Sequence, residues 1–385
     1  MLFQTKDNVS LMFQIIAVAL AIATLVLGCA FGAWSWYFGR MSDGKYTPSQ
    51  GVDIGSAGSI VEGDGTSLGN LATLPPIDGD AGAAISGEDI HPQELNNLQA
   101  NIKNWMNNGS PVRSSNVTNI LLIGMDNENL KSNSRADAMV IFSINHSTKT
   151  ITLASIMRDQ YSYIIHDNKG AFEKLHHANA YGGPTLQIQM LERYYKVSID
   201  NYAIVNFASL PKVIDAMGGV EIELSQEESQ YLRNKCGFKR LSTGKNTLSG
   251  QEALIYMRIR ENIGGDEARV DRQQKVIKQL LAQAKSYGVS SMLSILNTMI
   301  PYIRTGLSST DMLGYATNAL TNGWLDYSIQ QMSLPDSDCA KGFRNAADHI
   351  WYWKVDYPLA ARKLQLALYG QSNIALDVNR KSWIQ

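Results

Sequence analysis

The sequence is poor in cysteine and carries almost no net charge, and both shortages exclude classes of protein. Three cysteines occur in 385 residues, and none belongs to a CxxC motif or to a Cys/His spacing typical of a metal site. The 34 basic and 35 acidic residues give a net charge of −1. A chain without a basic excess has no long-range field that attracts a phosphate backbone. We therefore expect no nucleic-acid partner.

Basic residues are missing from one long stretch, between Lys45 and Lys103. It is rich in Gly, Ser, Asp and Ala, as in Gly63-Asp64-Gly65-Thr66-Ser67, and has few large apolar side chains. Such a composition buries too little apolar surface to offset the entropy of ordering the chain. We expect a flexible linker over residues 39–112, whose end, Pro92 to Asn107, suits a short helix.

Charge is also absent from residues 11–38, an almost wholly apolar run that has Trp34, Trp36 and Tyr37 at one end. About 20 apolar residues cross a bilayer as a helix, and aromatic side chains favour its interface. We expect a short cytoplasmic stub at residues 1–10 and a single transmembrane helix at 11–38. The remainder then lies on the outer face of the cytoplasmic membrane. Because Val26-Leu27-Gly28-Cys29 partly resembles a lipoprotein box, lipid attachment at Cys29 is the alternative.

The other two cysteines, Cys236 and Cys339, follow the predicted membrane segment, where oxidation is permitted. A disulfide requires proximity in space, which sequence separation cannot test. A disulfide and two buried thiols both remain open.

Apolar alternation and turn signals predict interleaved strands and helices over residues 113–370. The predicted strands are Ile120–Met125, Ala138–Ile144, Thr150–Ile156, Tyr202–Phe207, Val220–Leu224 and Asp326–Leu334, and the turn at residues 145–148 joins the second and third as a hairpin. The predicted helices are Pro184–Lys196, Leu210–Met217, Val270–Tyr287 and a terminal helical region at Asp348–Tyr369. This order indicates an α/β domain of the three-layer α/β/α type with a mixed central sheet, followed by a tail at 371–385.

Carboxylates stand at the ends of two predicted strands. Asp126 follows the strand that ends at Met125, and Asp137 opens the next strand, two residues after Arg135. Loops at strand ends are where α/β proteins place ligand chemistry, and paired carboxylates suit a hard divalent cation. A turn cap at Asp126 and an ion pair between Asp137 and Arg135 are the structural alternatives.

Arginines recur in the later segments. Arg158 and Asp159 follow the strand that ends at Ile156, and a strand at Leu254–Arg260 would place Tyr256, Arg258 and Arg260 on one face. Neighbouring guanidinium groups repel each other unless an anion lies between them, and their planar forks suit a diphosphate.

A second group of polar residues marks the start of the helix predicted at Val270–Tyr287. Arg269, Arg272 and Gln273 are spaced i, i+3 and i+4 and share one side of it. A helix N-terminus also favours anions, and Asp266 just before it suits an N-cap.

In this order the segments resemble the LytR-CpsA-Psr family, membrane-anchored transferases that attach lipid-carried glycopolymers to the bacterial cell wall. The resemblance rests on Asn119–Asp126, Arg135–Asp137, Ile156–Asp159, Glu173–Gly183, Tyr256–Arg260 and Gly265–Gln274. The chain departs from the family pattern at Glu128, Met157, His176 and Ala268. We expect the neighbouring His176 and His177 to be structural.

The resemblance implies a phosphotransferase that moves a glycan from a polyprenyl-pyrophosphate donor to a peptidoglycan hydroxyl at the membrane lipid surface. It implies that Asp126 and Asp137 bind Mg²⁺ (or Mn²⁺). The expected diphosphate contacts are Arg135, Arg158, Lys174, Arg258, Arg260, Arg269, Arg272 and Gln273. The expected catalytic residues are Arg158, Asp159, Asp266 and Arg269, with Asp159 or Asp266 as the base. A lipid-diphosphate hydrolase with the same site, or a non-catalytic membrane-anchored regulator, are the alternatives.

Overall fold

A computed structural model supplies the coordinates of the protein. It describes residues 47, 52–53, 89–125, 127, 129–206, 209–257, 259, 272, 275–276, 279–280, 283, 303–307, 324–346, 348–377 and 380–384. The stub, the predicted membrane segment at 11–38 and most of the predicted linker lie outside these residues. Within the described part, no helix is both long enough and apolar enough to cross a bilayer.

Among the described residues, fourteen strands and six α-helices have both of their ends described. The strands are β1 (Val52–Asp53), β2 (Val112–Arg113), β3 (Val117–Met125), β4 (Ala138–Asn145), β5 (Thr150–Ile156), β6 (Tyr161–His166), β7 (Lys169–Lys174), β8 (Asn201–Asn206), β9 (Val220–Leu224), β10 (Gly244–Leu248), β11 (Arg304–Thr305), β12 (Ser328–Leu334), β13 (Ala340–Arg344) and β14 (Trp351–Val355). The helices are α1 (Pro92–Asn107), α2 (His177–Tyr195), α3 (Ser209–Ala216), α4 (Gln226–Asn234), α5 (Gly250–Tyr256) and α6 (Tyr357–Tyr369).

The chain divides into two compact units, and each is considered by itself. Unit 1 contains Met1–Tyr46, Leu122–Ser132 and Ala203–Tyr327, and unit 2 contains Thr47–Leu121, Asn133–Tyr202 and Ser328–Gln385. The predicted domain boundaries at residues 113 and 370 coincide with neither unit, and they stay predictions.

Unit 2 contains strands of a mixed sheet in the order β4-β5-β12. Strands β4 and β5 pair antiparallel, and the Asn145 side chain accepts hydrogen bonds from the backbone of Ser147 and Thr148 in the turn between them. Strand β12 runs parallel to β5. Every residue of β4 is buried, as expected for a strand covered on both faces. The predicted hairpin, the α/β class and the mixed sheet are therefore confirmed.

Helix α1 shows that the end of the predicted linker is folded. The His91 side chain accepts a hydrogen bond from the backbone of Gln93, and a proline occupies the first turn. Leu98, Ile102 and Met106 recur at intervals of four residues and are buried, so one side of the helix packs into unit 2. The helix predicted at this position is confirmed, so the end of the expected linker contains a packed helix.

The terminal region of unit 2 differs from the helix predicted at Asp348–Tyr369. It begins with β14, which pairs antiparallel with β13. Helix α6 starts only after Asp356, whose side chain accepts from the backbone of Leu359, and it ends at Gly370 with φ 73°. The aromatic and β-branched residues of Trp351–Val355 favour a strand, so the helical prediction is wrong over this part.

Unit 1 contains the antiparallel pair β11 and β8 and the antiparallel pair β9 and β10. Its helices α4 and α5 each start with a capping box, formed by Ser225 with Glu228 and by Ser249 with Glu252. The second capping box starts α5, which includes Leu254–Tyr256. The strand predicted at Leu254–Arg260 is therefore wrong over these residues. In the predicted helix at Val270–Tyr287, the residues that the structure describes are helical.

Neither Cys236 nor Cys339 forms a disulfide; both are free thiols. Cys339 is buried, and burial together with the Asp336 carboxylate raises the pKa of its thiol to about 12. The structure therefore selects the two-thiol alternative.

Candidate functional site

The loop after β5 places Arg158 between two carboxylates of unit 2. Its Nη1 donates to Oδ1 of Asp137, and its Nε donates to Oδ2 of Asp159 over 3.3 Å. Both carboxylate side chains are 4% exposed, whereas the Arg158 side chain is 20% exposed. A guanidinium held by two buried acceptors has a fixed orientation, so its accessible part can meet a phosphate group without first being ordered.

Lys174 forms the other end of this cluster. Its Nζ lies 2.9 Å from Oδ1 of Asp159, and both side chains are 4% exposed. The four charges, from Asp137 through Arg158 and Asp159 to Lys174, alternate in sign along the chain of contacts. Buried ions are costly unless they are paired, and here each has an opposite charge beside it.

This pairing bears on the role of Asp159. The carboxylate is 3% exposed and lies against two cations, Arg158 and Lys174. In this structure Asp159 therefore orients Arg158, and its place beside Asp266 as one of two candidate bases stays a prediction.

The backbone around His176 connects the loops that carry the cluster. The His176 amide donates to the carbonyl of Arg158 over 3.3 Å, and its own carbonyl accepts from the amide of Ala136 over 3.2 Å. Leu175 donates to Gln160 over 3.0 Å. These bonds bring the segment that ends at Asp137 beside the segment that begins at Arg158, although 21 residues separate the two side chains.

Glu173 and Asn179 support the same loops, and neither residue had a role in the sequence-based prediction. The Glu173 carboxylate lies 2.9 Å from Nδ1 of His177, which is 4% exposed, in agreement with the structural role expected for the histidines. The Asn179 side chain donates to the carbonyl of Ser134 over 2.6 Å. The available signal was the position of both residues within the family-like block Glu173–Gly183.

Arg272 has a different role from the one predicted. It is 1% exposed in unit 1, where its Nε donates to Oε1 of Glu228 over 2.7 Å and its Nη1 donates to the carbonyl of Ile259 over 3.1 Å. The nearby Tyr256 is also buried, and desolvation raises the pKa of its hydroxyl well above 10. The Arg272 side chain is therefore buried in unit 1, where it compensates the charge of Glu228. From the sequence, the start of this helix was expected to face a ligand.

The structure brings four of the predicted site residues together: Asp137, Arg158, Asp159 and Lys174. Arg135, two residues before Asp137, is half-buried. Six predicted residues lie outside the described part of the chain: Asp126, Arg258, Arg260, Asp266, Arg269 and Gln273.

The described residues around Asp137 offer few ligands for a divalent cation. Among the described residues, no three His, Cys, Asp or Glu side chains are grouped so that they could hold a metal by themselves. Mg²⁺ is usually bound through one or two carboxylates and completed by substrate phosphates and waters. The Asp137 carboxylate therefore fits a cation that is shared with a phosphate-containing substrate, and does not by itself make a protein-only metal site.

A mixed sheet accompanied by helices, with an arginine held by two carboxylates in the loop after a strand, places the protein in the α/β class. Residues 85–365 match the model of the LytR_cpsA_psr family, and the chain belongs to that family. The resemblance drawn from the sequence motifs is thus confirmed.

Characterised relatives share most of this region. A protein of Enterococcus faecalis named "Polyisoprenyl-teichoic acid--peptidoglycan teichoic acid transferase TagU" is 33% identical over 258 residues, which cover 66% of this chain and 79% of the relative. A Bacillus cereus protein of the same name is 28% identical, over 66% of this chain and 77% of the relative. The crystal structure of protein gbs0355 from Streptococcus agalactiae matches with a TM-score of 0.52 and 21% identity, over 68% of this chain and 91% of that one, and shares the fold.

Proposed function

We propose that this protein is a membrane-anchored phosphotransferase that moves a glycopolymer from a polyprenyl-pyrophosphate carrier to a hydroxyl group of peptidoglycan. Membership of the LytR_cpsA_psr family and the transferase name of the 33% identical relative support this class of reaction. The structural observation that carries the proposal is Arg158, which two buried carboxylates orient while part of its side chain stays exposed.

The reaction takes its energy from the phosphoanhydride bond of the donor. The acceptor oxygen attacks the phosphorus attached to the glycan, the anhydride P–O bond breaks, and polyprenyl phosphate leaves as a phosphodiester to the wall forms. Negative charge grows on the leaving phosphate, and a fixed guanidinium stabilises such charge without reorganising. Arg158 has this role, with Arg135 beside Asp137 as a second contact.

Further groups come from the resemblance to the family. Arg258, Arg260, Arg269 and Gln273 complete the diphosphate contacts, and Asp266 takes the proton of the acceptor hydroxyl. Lys174 and Arg272 are left out of the direct contacts, because both are buried against carboxylates.

Asp137, together with Asp126, is the proposed ligand set for Mg²⁺ or Mn²⁺. When bound there, the cation would neutralise part of the diphosphate charge and polarise the attacked phosphorus. The residues 11–38 anchor the chain as a single-pass helix, with the catalytic part outside the cell membrane. The donor lipid is then presented at the membrane surface on which the enzyme itself is anchored.

The test uses the full chain reconstituted in lipid vesicles. It is incubated with Mg²⁺, a synthetic polyprenyl-diphosphate glycan and peptidoglycan fragments, and the products are identified by mass. We expect a phosphodiester between glycan and peptidoglycan, lost in EDTA and restored by Mg²⁺ or Mn²⁺. Free glycan phosphate would identify a hydrolase instead. No turnover, combined with an unchanged cellular phenotype for Asp137→Ala and Arg158→Ala, would favour a non-catalytic regulator.

A further inference from the structure

Lys174 has a fixed place next to the candidate site. It is the last residue of β7 and pairs with Tyr161 of β6, and the next residue, Leu175, donates to the carbonyl of Gln160. The strand pairing therefore sets the lysine backbone beside the Asp159–Gln160 segment. From there the side chain reaches Oδ1 of Asp159 at 2.9 Å and is 4% exposed.

The charges of the cluster show what this lysine does. Asp137 and Asp159 both contact Arg158, so two carboxylates share one guanidinium. Lys174 gives Asp159 a second cation. Without Lys174, the buried Asp159 carboxylate would lie less well compensated beside the place where an anionic diphosphate binds, and would both repel the ligand and compete for the guanidinium.

We propose that Lys174 is a positioning residue that acts through Asp159, and that it does not contact the diphosphate. It neutralises Asp159 and keeps that carboxylate on Nε of Arg158, so that the accessible part of the guanidinium faces the substrate. This inference rests on the proposed function. It differs from a direct phosphate contact in one measurable respect, because it makes the need for Lys174 depend on the charge of Asp159.

The test is a double-mutant cycle of Lys174→Met, Asp159→Asn and the two combined in the full chain. Lys174→Met is expected to raise the KM for the polyprenyl-diphosphate donor about tenfold or more, with a smaller change in kcat. The double variant, which removes both charges, is expected to return to within about threefold of the wild-type KM. Lys174→Arg, which keeps the charge, should lie near the wild type.

Lys169→Met is the matched control, since Lys169 is exposed at the opposite end of β7. Circular dichroism and thermal unfolding check that every variant is folded. If the double variant binds donor as weakly as Lys174→Met or more weakly, Lys174 contacts the phosphate directly and the inference is overturned.

Calorimetric binding of inorganic diphosphate separates this inference from the function on which it rests. If the wild type binds diphosphate and the variants follow the expected pattern, but no glycan is transferred, the proposed function fails and the positioning role stands. If transfer occurs without that pattern, the positioning role fails. If the wild type neither transfers glycan nor binds diphosphate, both are overturned.

Discussion

Arg158 differs in its geometry from an ordinary surface arginine. Its Nη1 and Nε each face a buried carboxylate, so two separate edges of one planar group are in use. A lysine has the same charge but a single nitrogen, and it cannot satisfy Asp137 and Asp159 together while also facing a ligand.

Arg158→Lys is therefore expected to lower kcat/KM for glycan transfer by about a hundredfold, as losing an oriented charge-stabilising donor does. Arg240→Lys is the matched control, because Arg240 is a 55% exposed arginine that pairs with Glu252 in unit 1. The transfer assay with vesicle-bound enzyme measures both variants. Equal activity of Arg158→Lys and wild type would contradict the role given to the planar fork.

Which residues could be predicted from the sequence depends on where their partners lie. Asp137 and Arg158 are recognisable because each flanks an apolar strand. The burial of Arg272 cannot be recognised from the sequence, because its partner Glu228 is 44 residues away on another helix. The same limit applies to Asp159, because the sequence does not show that Lys174 lies beside it in the folded chain.

At the scale of elements, Lys196 joins two helices of unit 2. It follows α2 with a left-handed φ of 53°, and its Nζ donates to the carbonyls of Trp105 and Gly109 at the end of α1. Burial, aided by the charge of Arg193, lowers the pKa of Lys196 to about 7. Between this value and the ordinary 10.5, the unfolded chain binds a proton that the folded chain does not. Stability from this group therefore rises with pH across that window.

The free energy of unfolding of the wild type should rise relative to Lys196→Met between pH 7 and pH 9. The slope is at most about 1.4 kcal/mol per pH unit for one proton. Denaturant unfolding at pH 7, 8 and 9 measures it, with Lys131→Met as the exposed-lysine control. Parallel curves for wild type and Lys196→Met would contradict the prediction.

The segment after α6, expected to be a tail, is held in place by one carboxylate. Arg380 Nη2 donates to both oxygens of Asp356 at 2.7 and 2.6 Å, and the hydroxyl of Ser382 and the amide of Trp383 donate to the same carboxylate. Asp356 is fully buried and also caps α6. The segment therefore compensates a charge that the helix start requires.

Arg380→Ala should lower the free energy of unfolding by about 3 kcal/mol, because it leaves Asp356 buried without a cation. Lys381→Ala, at the exposed neighbouring position, should change it by less than about 0.5 kcal/mol. Urea unfolding followed by tryptophan fluorescence compares the two. A similar small effect for both would mean that the C-terminal segment contributes nothing to the stability of α6.

Element prediction succeeded where a single local signal dominated. The bounds of β5 and β9 match those predicted, because each is a short apolar or alternating run between turn residues. It failed at Leu254–Tyr256, three residues of the predicted strand that belong to α5. The capping box at Ser249 favours the helix, since it satisfies backbone groups that only a helix start leaves open.

At the scale of the whole molecule, the family match and the membrane prediction concern two different parts of the chain. The match covers residues 85–365. The family could be recognised from the sequence because several of its motifs follow one another in the family's order. The anchor at residues 11–38 rests on hydropathy alone and stays a prediction. The anchor is predicted to be either an uncleaved helix or a lipid attached to Cys29. Both place the site on the same membrane face, but they hold the protein in the membrane by different chemistry.

The uncleaved-helix version predicts that Cys29→Ala stays in the membrane fraction after an alkaline carbonate wash, with the intact mass of the full chain. A thiol takes no part in holding an apolar helix in a bilayer, so its removal should change nothing. Leu20→Lys combined with Leu25→Lys should release the protein, because each lysine at the centre of a membrane helix costs about 2.5–3.5 kcal/mol. Release of Cys29→Ala into the soluble fraction, or a mature chain that begins at residue 29, would instead establish the lipid anchor.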